Sequence, residues 1–395
     1  MKTIIINANV ITDGKILKNH AVHIENGQII LVTPDNLTGA NAKIIDAQGD
    51  YLSAGLIDLH IHGGMNHDFM DATPEAIEGI ATYHMKHGVT SMLATTAPAE
   101  DSETFAFLET FTKHANSDPR YLGVHLEGPY LNPAQCGAIN PNHIHALSPS
   151  HYEALLNYDC VKRVTAAPEL EGGLAFGTLL REKGILASMG HTEADYDMAL
   201  QALEYGYNSV THLYSCTVGL HRKNAYRHGG LIEAALLHDS ITAEIIADNR
   251  HLPASLLKLI YKCKGKYGII LTSDAMRGAG LADGQITKAG SLARGQDVII
   301  EDGVAKMLDR QAFAGSVASG DRLIRTMVHE AGVPLPEAIM MMTINPARLI
   351  GLSDSIGDVR ENMAADLIVF DSDINIKKVM VKGTLQHEVE NASKT

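Results

Sequence analysis

The pattern of hydrophobic and polar positions divides this chain into two kinds of segment. Residues 1–52 contain short runs of β-branched residues separated by turn signals such as Asp13-Gly14, and these runs predict strands at 3–6, 21–25, 28–33 and 42–46. The same pattern returns near the end of the chain, at 365–371 and 379–383. Segments from opposite ends pair most economically into one unit. We therefore expect a small β-sandwich domain built from residues 1–52 and 355–395.

Between these ends, short apolar runs alternate with segments in which apolar residues recur at helical spacing. The helical spacing is clearest at 75–87, 195–205, 230–238 and 253–263. Eight apolar runs predict strands, at 56–62, 91–96, 123–127, 163–167, 186–189, 209–212, 242–247 and 268–272. Eight strand–helix units close into a TIM barrel, which carries its chemistry at the C-terminal ends of the strands. We expect an α/β fold in which residues 53–354 form a (β/α)8 barrel.

Side chains that bind metals stand at the ends of five of these predicted strands. They are His60, His62, Glu127, His191, His212 and Asp274. His60 and His62 lie two residues apart, so they point to the same face of a strand, although two histidines so spaced also occur in strands that bind nothing. Glu127 follows an apolar run, where a carboxylate is costly unless it is paired or bound to a metal. The convergence of the strand ends predicts a metal site; Asp58, inside the first strand, is expected to be structural.

The chain has 20 histidines, so some of them must have ordinary roles. Those without a strand end before them are expected on the surface or at helix ends: His84, His87, His114, His143, His145, His151, His238 and His329.

Composition and charge restrict the partners. The net charge of −14 argues against a nucleic-acid partner, which would need a basic surface. The four cysteines have no short spacing between them, which argues against a disulfide framework and a zinc ribbon. No apolar run is long enough for a signal peptide or a membrane span. We expect a cytoplasmic protein that binds a small molecule and neither nucleic acid nor membrane.

Several motifs together resemble one family. They are Gly-Leu-Ile-Asp-Leu-His-Ile-His-Gly at 55–63, His-Leu-Glu-Gly-Pro at 125–129, Gly-His-Thr at 190–192, Thr-His-Leu-Tyr at 211–214, Ile-Ile-Ala-Asp-x-x-His at 245–251 and Ser-Asp-Ala at 273–275. In these motifs the chain resembles the N-acetylglucosamine-6-phosphate deacetylases of the amidohydrolase superfamily, from end to end. The resemblance implies hydrolysis of N-acetylglucosamine 6-phosphate to glucosamine 6-phosphate and acetate, by a homodimer.

The resemblance also implies the metal ligands. Glu127, His191 and His212 match the family's principal ligands, while His60 and His62 match a pair found in members with two metals. One or two divalent ions are implied, zinc in the first place, with iron, manganese or cobalt as alternatives.

Catalytic roles are implied for two further residues. Asp274 matches the family's catalytic acid/base, which also touches the second metal, and His251 matches the histidine that contacts the substrate and polarises the amide carbonyl. Dihydroorotases, which are superfamily relatives, use a carbamylated lysine at the end of strand four. Here that strand ends in Ala166-Ala167-Pro168-Glu169, with Lys162 only at its start.

The substrate pocket departs from the family pattern. Implied contacts lie at Ala138, Ser215, Cys216, Phe313, Ala314 and Gly315, and either Arg222 or Arg227 is implied to reach a phosphate across the dimer interface. Ser215-Cys216-Thr217 replaces the usual Asn-Ala-Met, and Ile139 replaces a sugar-contacting histidine. The basic loop around Arg222 is equally explained as a solvated surface. The alternative substrates are therefore another N-acetyl sugar (a galactosamine epimer or an unphosphorylated sugar), an N-acyl amino acid or a cyclic amide.

Overall fold

The computed structural model describes residues 2–34, 42–115 and 117–389 of the chain. Its central element is a sheet of eight parallel strands in which each strand pairs with the next one along the chain. In chain order, these barrel strands are Leu56–Ile61, Val89–Thr96, Tyr121–Glu127, Val161–Ala166, Leu186–Met189, Tyr207–Val210, Thr242–Ile245 and Ile269–Leu271. All of them are almost wholly buried, as expected for parallel strands covered by helices.

The first and eighth barrel strands meet through the residues that follow them. Ile61 and Ala275 form a parallel bridge, the His62 amide donates to the Ala275 carbonyl at 2.9 Å, and the Asp274 amide donates to the His60 carbonyl at 2.9 Å. The strands therefore form a nearly closed barrel, and its closing contacts lie beside the predicted ligands. This confirms the predicted (β/α)8 fold.

Ten α-helices lie in the described part of the chain: Pro74–Lys86, Asp101–His114, Pro149–Leu156, Gly173–Glu182, Tyr196–Glu204, Leu231–Leu237, Ala254–Lys264, Gly320–Arg325, Leu335–Met340 and Ile344–Leu349. A π-helical turn, Thr326–Glu330, follows the eighth of them. Short 3-10 helices occupy Phe69–Asp71, Pro133–Gln135 and Pro141–His143. None of the helices in the described ranges combines the length and apolar character that crossing a bilayer requires.

The two ends of the chain share a second eight-stranded sheet. Its strands are Lys2–Thr12, Lys15–Glu25, Gln28–Thr33, Lys43–Asp46, Tyr51–Ala54, Leu367–Phe370, Ile376–Val381 and Thr384–Glu388. The N-terminal and C-terminal parts join where Tyr51–Ala54 pairs antiparallel with Leu367–Phe370. The predicted pairing of both ends is thus confirmed, while the domain boundaries at 52 and 355 stay a prediction. Residues 35–41 and 390–395 of that unit lie outside the described residues.

Smaller sheets are inserted beside the barrel mouth. A three-stranded antiparallel sheet follows the eighth barrel strand, with strands Ile286–Ala289, Gln296–Glu301 and Val304–Met307. A hairpin of His221–Lys223 and Tyr226–His228 follows the sixth barrel strand, and Gly63–Gly64 pairs with His67–Asp68 after the first. Their positions after barrel strands place them at the end where a TIM barrel carries its chemistry.

Candidate active site

Six side chains from five barrel strands meet at the C-terminal mouth, and all six are buried. They are the residues predicted as ligands: His60, His62, Glu127, His191, His212 and Asp274. Three of them leave their strands in the left-handed region, with φ of 48° at His191, 32° at His212 and 46° at Asp274. Non-glycine residues adopt such values rarely and at a cost, and they cluster at functional sites. The backbone at these strand ends therefore turns each side chain into the mouth.

The first ligand group consists of Glu127, His191 and His212. Glu127 Oε1 lies 3.2 Å from His191 Nε2 and 2.9 Å from His212 Nε2, and the two Nε2 atoms are 3.1 Å apart. Each residue thus offers one ligand atom to a common point. Two imidazoles and a carboxylate form a donor set typical of catalytic zinc sites.

The second ligand group consists of His60, His62 and Asp274. Nε2 of His60 lies 3.1 Å from Nε2 of His62. Asp274 Oδ1 lies 3.2 Å from His62 Nε2 and 3.4 Å from His60 Nε2. Glu127 lies between the two groups, since its Oε2 is 3.2 Å from His62 Nε2 while its Oε1 faces the first group. The geometry therefore provides two adjacent sites that share one carboxylate.

The charges of this cluster keep its acids ionised. Burial would raise the pKa of Glu127, but the charge on His60 and hydrogen bonds from neighbouring histidines outweigh it and hold the pKa well below its usual value. Burial is likewise outweighed at Asp274, whose pKa is lowered by His60 and His62. Two buried carboxylates in one cluster require positive charge close by.

The hydrogen bonds of the histidines show how a metal ion could supply that charge in place of protons. His191 Nδ1 donates to the Gln135 carbonyl at 2.8 Å, because a carbonyl can only accept. If a cation takes the place of a proton on Nε2, the lone pair of that nitrogen faces the first ligand group. His60 Nδ1 likewise donates to Glu244 Oε1 at 3.0 Å, which directs its Nε2 atom into the second group. Lone pairs facing one another at about 3 Å repel unless protons or cations lie between them, so these residues fit a metal.

A buried network behind the ligands was not identified from the sequence. Glu244, from the seventh barrel strand, is ion-paired to Arg163 of the fourth strand, and neither side chain is exposed. The Thr272 hydroxyl donates to Asp58 Oδ1 at 2.7 Å, and the Ser273 amide donates to Asp58 Oδ2 at 3.0 Å. Asp58 thus fixes the turn that carries Asp274, in line with the structural role expected for it.

His251, the last residue of the motif at 245–251, lines the cavity beside these ligands. Its Nδ1 lies 2.8 Å from Asp248 Oδ2, and its amide donates to Asp248 Oδ1 at 2.8 Å. The ring of Phe313 packs on the imidazole, with centroids 4.9 Å apart. Asp248 therefore orients the ring so that Nε2 is the nitrogen left for a ligand.

These side chains open into a cavity of about 310 Å³. The residues predicted to contact the substrate at this mouth do line it: Ala138, Ser215, Cys216, His251, Phe313, Ala314 and Gly315. Arg222 and Arg227 do not; both are exposed on the hairpin after the sixth strand. The predicted contact of one of these arginines with a phosphate across a dimer interface therefore stays a prediction.

The cavity also has polar lining that the sequence did not reveal. Glu103, Ser291, Arg294 and Gln296 belong to its wall, and the Ser291 hydroxyl donates to Glu103 Oε1 at 2.7 Å. These residues come from a helix start and from the inserted sheet, so no strand-end rule points to them.

One histidine prediction was wrong. His84 is fully buried rather than exposed, and its Nε2 contacts the Gly63 carbonyl at 2.9 Å. Burial lowers the pKa of His84 to about 4, so the ring is neutral and donates to that carbonyl. Its helix packs against the turn after His62, which made this position part of the core.

Comparisons with known proteins identify the family and support the fold. The sequence profile of the amidohydrolase family matches residues 51–385. The N-acetylgalactosamine-6-phosphate deacetylase of Escherichia coli O157:H7 is 29% identical, over 95% of this chain and 97% of the relative. The N-acetylglucosamine-6-phosphate deacetylase of Bacillus subtilis (strain 168) is 30% identical, over 95% of each. The crystal structure of N-acetylglucosamine-6-phosphate deacetylase from Pasteurella multocida superimposes with a TM-score of 0.91 and 28% identity, over 98% of this chain and 100% of that one.

Proposed function

This chain belongs to the amidohydrolase family, and from that premise we propose that it is a metal-dependent deacetylase of N-acetylated amino-sugar 6-phosphates. N-acetylglucosamine 6-phosphate is the substrate proposed first, and the products are glucosamine 6-phosphate and acetate. The relatives that match over nearly the whole chain carry deacetylase names for such sugars. The single observation that carries the proposal is a pair of adjacent ligand groups that share Glu127, one of which contains Asp274, in the wall of a cavity.

We assign Glu127, His191 and His212 as the ligands of the principal divalent ion, and His60, His62 and Asp274 as those of a second. Zinc suits this set of nitrogen and carboxylate donors, and iron, manganese or cobalt are the alternatives. When bound, a divalent ion in such a site lowers the pKa of water and polarises the amide carbonyl. The family is a metal-dependent class, and the described residues supply matching groups.

Asp274 is the proposed general base and acid. Its pKa lies below the usual value, although burial opposes this, because His60 and His62 favour the ionised form. The carboxylate can therefore accept a proton from the attacking water while the water oxygen adds to the acetyl carbon. As the carbon–nitrogen bond breaks, the same carboxyl returns the proton to the leaving amine. Water is thus added across the amide with no other reactant.

His251 is proposed to stabilise the oxyanion that forms on the acetyl group. Asp248 accepts from Nδ1, so the imidazolium form of the ring carries its second proton on Nε2, from which it can donate to the carbonyl oxygen. Burial would raise the pKa of Asp248, but its hydrogen bond with His251 outweighs this and lowers the pKa. The carboxylate therefore stays charged and can balance a positive imidazole during the reaction.

The sugar would lie in the rest of the cavity. A volume of about 310 Å³ is within the range of small-molecule sites. Ala138, Cys216 and Ala314 can offer backbone groups to the sugar. Ser215 stands where the family usually has an asparagine, and this difference changes a side chain without removing those backbone groups. Homodimer formation and a cytoplasmic location accompany the proposal as further predictions.

A second candidate substrate is N-acetylgalactosamine 6-phosphate. Two observations favour testing it. The N-acetylgalactosamine-6-phosphate deacetylase matches this chain over the same share of its length as the N-acetylglucosamine-6-phosphate deacetylase does. In addition, Ile139 lies in the cavity wall at the position where the N-acetylglucosamine-6-phosphate deacetylase pattern has a histidine. The epimers differ in the orientation of one hydroxyl, which a single hydrogen bond in the wall can distinguish.

The test is a panel of N-acetylated sugars assayed with purified, metal-loaded protein. It contains both epimers, each with and without the 6-phosphate, together with an N-acetyl amino acid and a cyclic amide. Acetate release from a phosphorylated sugar, with kcat/KM far above that for the unphosphorylated sugar, is expected. Preference for the amino acid or the cyclic amide would contradict the proposal.

A further inference from the structure

A second cluster of metal-binding side chains lies outside the barrel mouth. It consists of Asp101, the first residue of the helix Asp101–His114, and of His145 and His151, which follow the third barrel strand. Asp101 Oδ1 lies 3.0 Å from His151 Nε2 and 3.7 Å from His145 Nε2. All three residues are at least partly open to solvent, so an ion can reach them.

The spacing of these atoms fits a tetrahedral ion. Zinc–ligand bonds of about 2.0–2.2 Å place two ligands of one tetrahedral ion about 3.3–3.6 Å apart. The separations of 3.0 and 3.7 Å measured from Asp101 lie on either side of that range. The rings of His145 and His151 are nearly parallel, with an angle of 11° and centroids 4.6 Å apart, so they present their edges side by side.

The cluster is held in place by buried structure. Tyr130 is 1% exposed, and its hydroxyl lies 2.8 Å from His151 Nδ1. A metal-binding histidine usually has its other nitrogen fixed in this way, which sets the ring orientation. The His145 amide donates to the Pro129 carbonyl at 3.0 Å and so fixes the second histidine. Glu100 adds negative charge beside the cluster, with Oε1 3.9 Å from His143 Nδ1.

We propose that Asp101, His145 and His151 form an additional, peripheral site for a divalent transition-metal ion, with zinc as the best match. Two imidazoles and one carboxylate from the protein leave the fourth position to water. The ion would join the start of the helix Asp101–His114 to the segment that contains Asn140 and His143. Since those two residues line the catalytic cavity, the site braces one wall of that cavity without touching the reacting atoms.

The experiment compares zinc stoichiometry among variants of the full-length protein. Wild type, His145→Ala, Asp101→Asn and the control His114→Ala are incubated with excess Zn²⁺, freed of unbound ion by gel filtration, and analysed for zinc per chain. His114 is exposed at the far end of the same helix and has no part in the cluster. Because the count is a difference between variants, it does not depend on how many ions the barrel site holds.

Wild type and His114→Ala are expected to hold one more zinc per chain than His145→Ala and Asp101→Asn. Zn²⁺ should also raise the melting temperature of the first two beyond that of the others, since an ion that binds only the folded state stabilises it. Equal stoichiometry in all four proteins would overturn the proposal. Far-UV circular dichroism checks that each variant is folded, and His145→Ala serves where Asp101→Asn weakens the helix start.

Discussion

Arg163 and Glu244 form an ion pair whose two side chains are completely buried inside the barrel. Glu244 Oε1 also accepts from His60 Nδ1 at 3.0 Å and from the His212 amide at 3.3 Å. Burial would raise the pKa of Glu244, but the charge of Arg163 and the hydrogen bond from His60 lower it to about 2. One ionised carboxylate thus holds a member of each ligand group in place.

Glu244→Gln is expected to destabilise the protein and to weaken metal binding. The substitution keeps the shape of the side chain but leaves the charge of Arg163 buried without a partner, which costs about 3–5 kcal/mol. The loss of a charged acceptor for His60 should lower metal affinity about 10- to 100-fold. Urea denaturation and metal competition with a chelator measure the two effects.

The controls for that experiment are Glu204→Gln and the double variant Arg163→Met/Glu244→Gln. Glu204 is exposed, so its change should leave the free energy of unfolding within about 0.5 kcal/mol of wild type. The double variant removes both charges and should be more stable than Glu244→Gln alone. A single variant as stable as wild type would show that the ion pair contributes nothing.

Asp274→Asn should retain the metal of the first ligand group while losing most activity. An amide cannot accept the proton of the attacking water, and general acid–base catalysis contributes about 10²- to 10⁴-fold to such rates. The measurements are kcat with the preferred sugar and metal content per chain. Asp354→Asn, at a fully exposed side chain, is the control and should match wild type in both. Substantial residual turnover by Asp274→Asn would refute the assigned role.

The two-ion arrangement is tested by His60→Ala. This change removes one of three donors of the second group and leaves Glu127, His191 and His212 untouched, so the metal content should fall by one ion per chain relative to wild type. His191→Ala, measured in parallel, should instead remove the principal ion and the activity with it. If the stoichiometry of His60→Ala equals that of wild type, only one ion is bound.

The barrel and its ligands could be predicted from the sequence because the signals are local. A buried strand shows as an apolar run, and the ligands stand directly at the ends of such runs, as at His191 and His212. The strand 186–189 was predicted with its observed bounds, whereas strand 121–127 began two residues earlier than expected, since Tyr121 lies on the buried face.

The supporting residues could not be predicted for an equally physical reason. Arg163 and Glu244 lie inside predicted strands, 81 residues apart, and only the closed barrel shows that both point to its interior. Charged residues in a strand are ordinarily solvent-facing. The positions of Glu103 and Arg294 in the cavity wall depend in the same way on how a helix and the inserted sheet pack together at the mouth.

The role of the basic hairpin is the last prediction, and it concerns a second copy of the chain. Arg227 is exposed on that hairpin and does not line its own cavity. If it binds the phosphate of a substrate in the partner subunit, Arg227→Ala should raise KM for the phosphorylated sugar at least about 10-fold, as expected for loss of a charged hydrogen bond, and leave KM for the unphosphorylated sugar unchanged. Arg222 pairs with Arg227 across the hairpin, so Arg222→Ala is the matched comparison. The variant with the raised KM shows which arginine binds the phosphate.

Mixing subunits distinguishes this arrangement from a purely local effect. Arg227→Ala has an intact Asp274, and Asp274→Asn has an intact Arg227, so a mixed dimer contains one complete site if the arginine acts across the interface. When the phosphorylated sugar is assayed far below its KM, co-refolding the two variants should then restore about a quarter of the wild-type activity, because half of the dimers are mixed and each has one complete site of two. If the arginine acts within its own chain, no mixed dimer has a complete site, and the mixture stays as weakly active as the average of its two components.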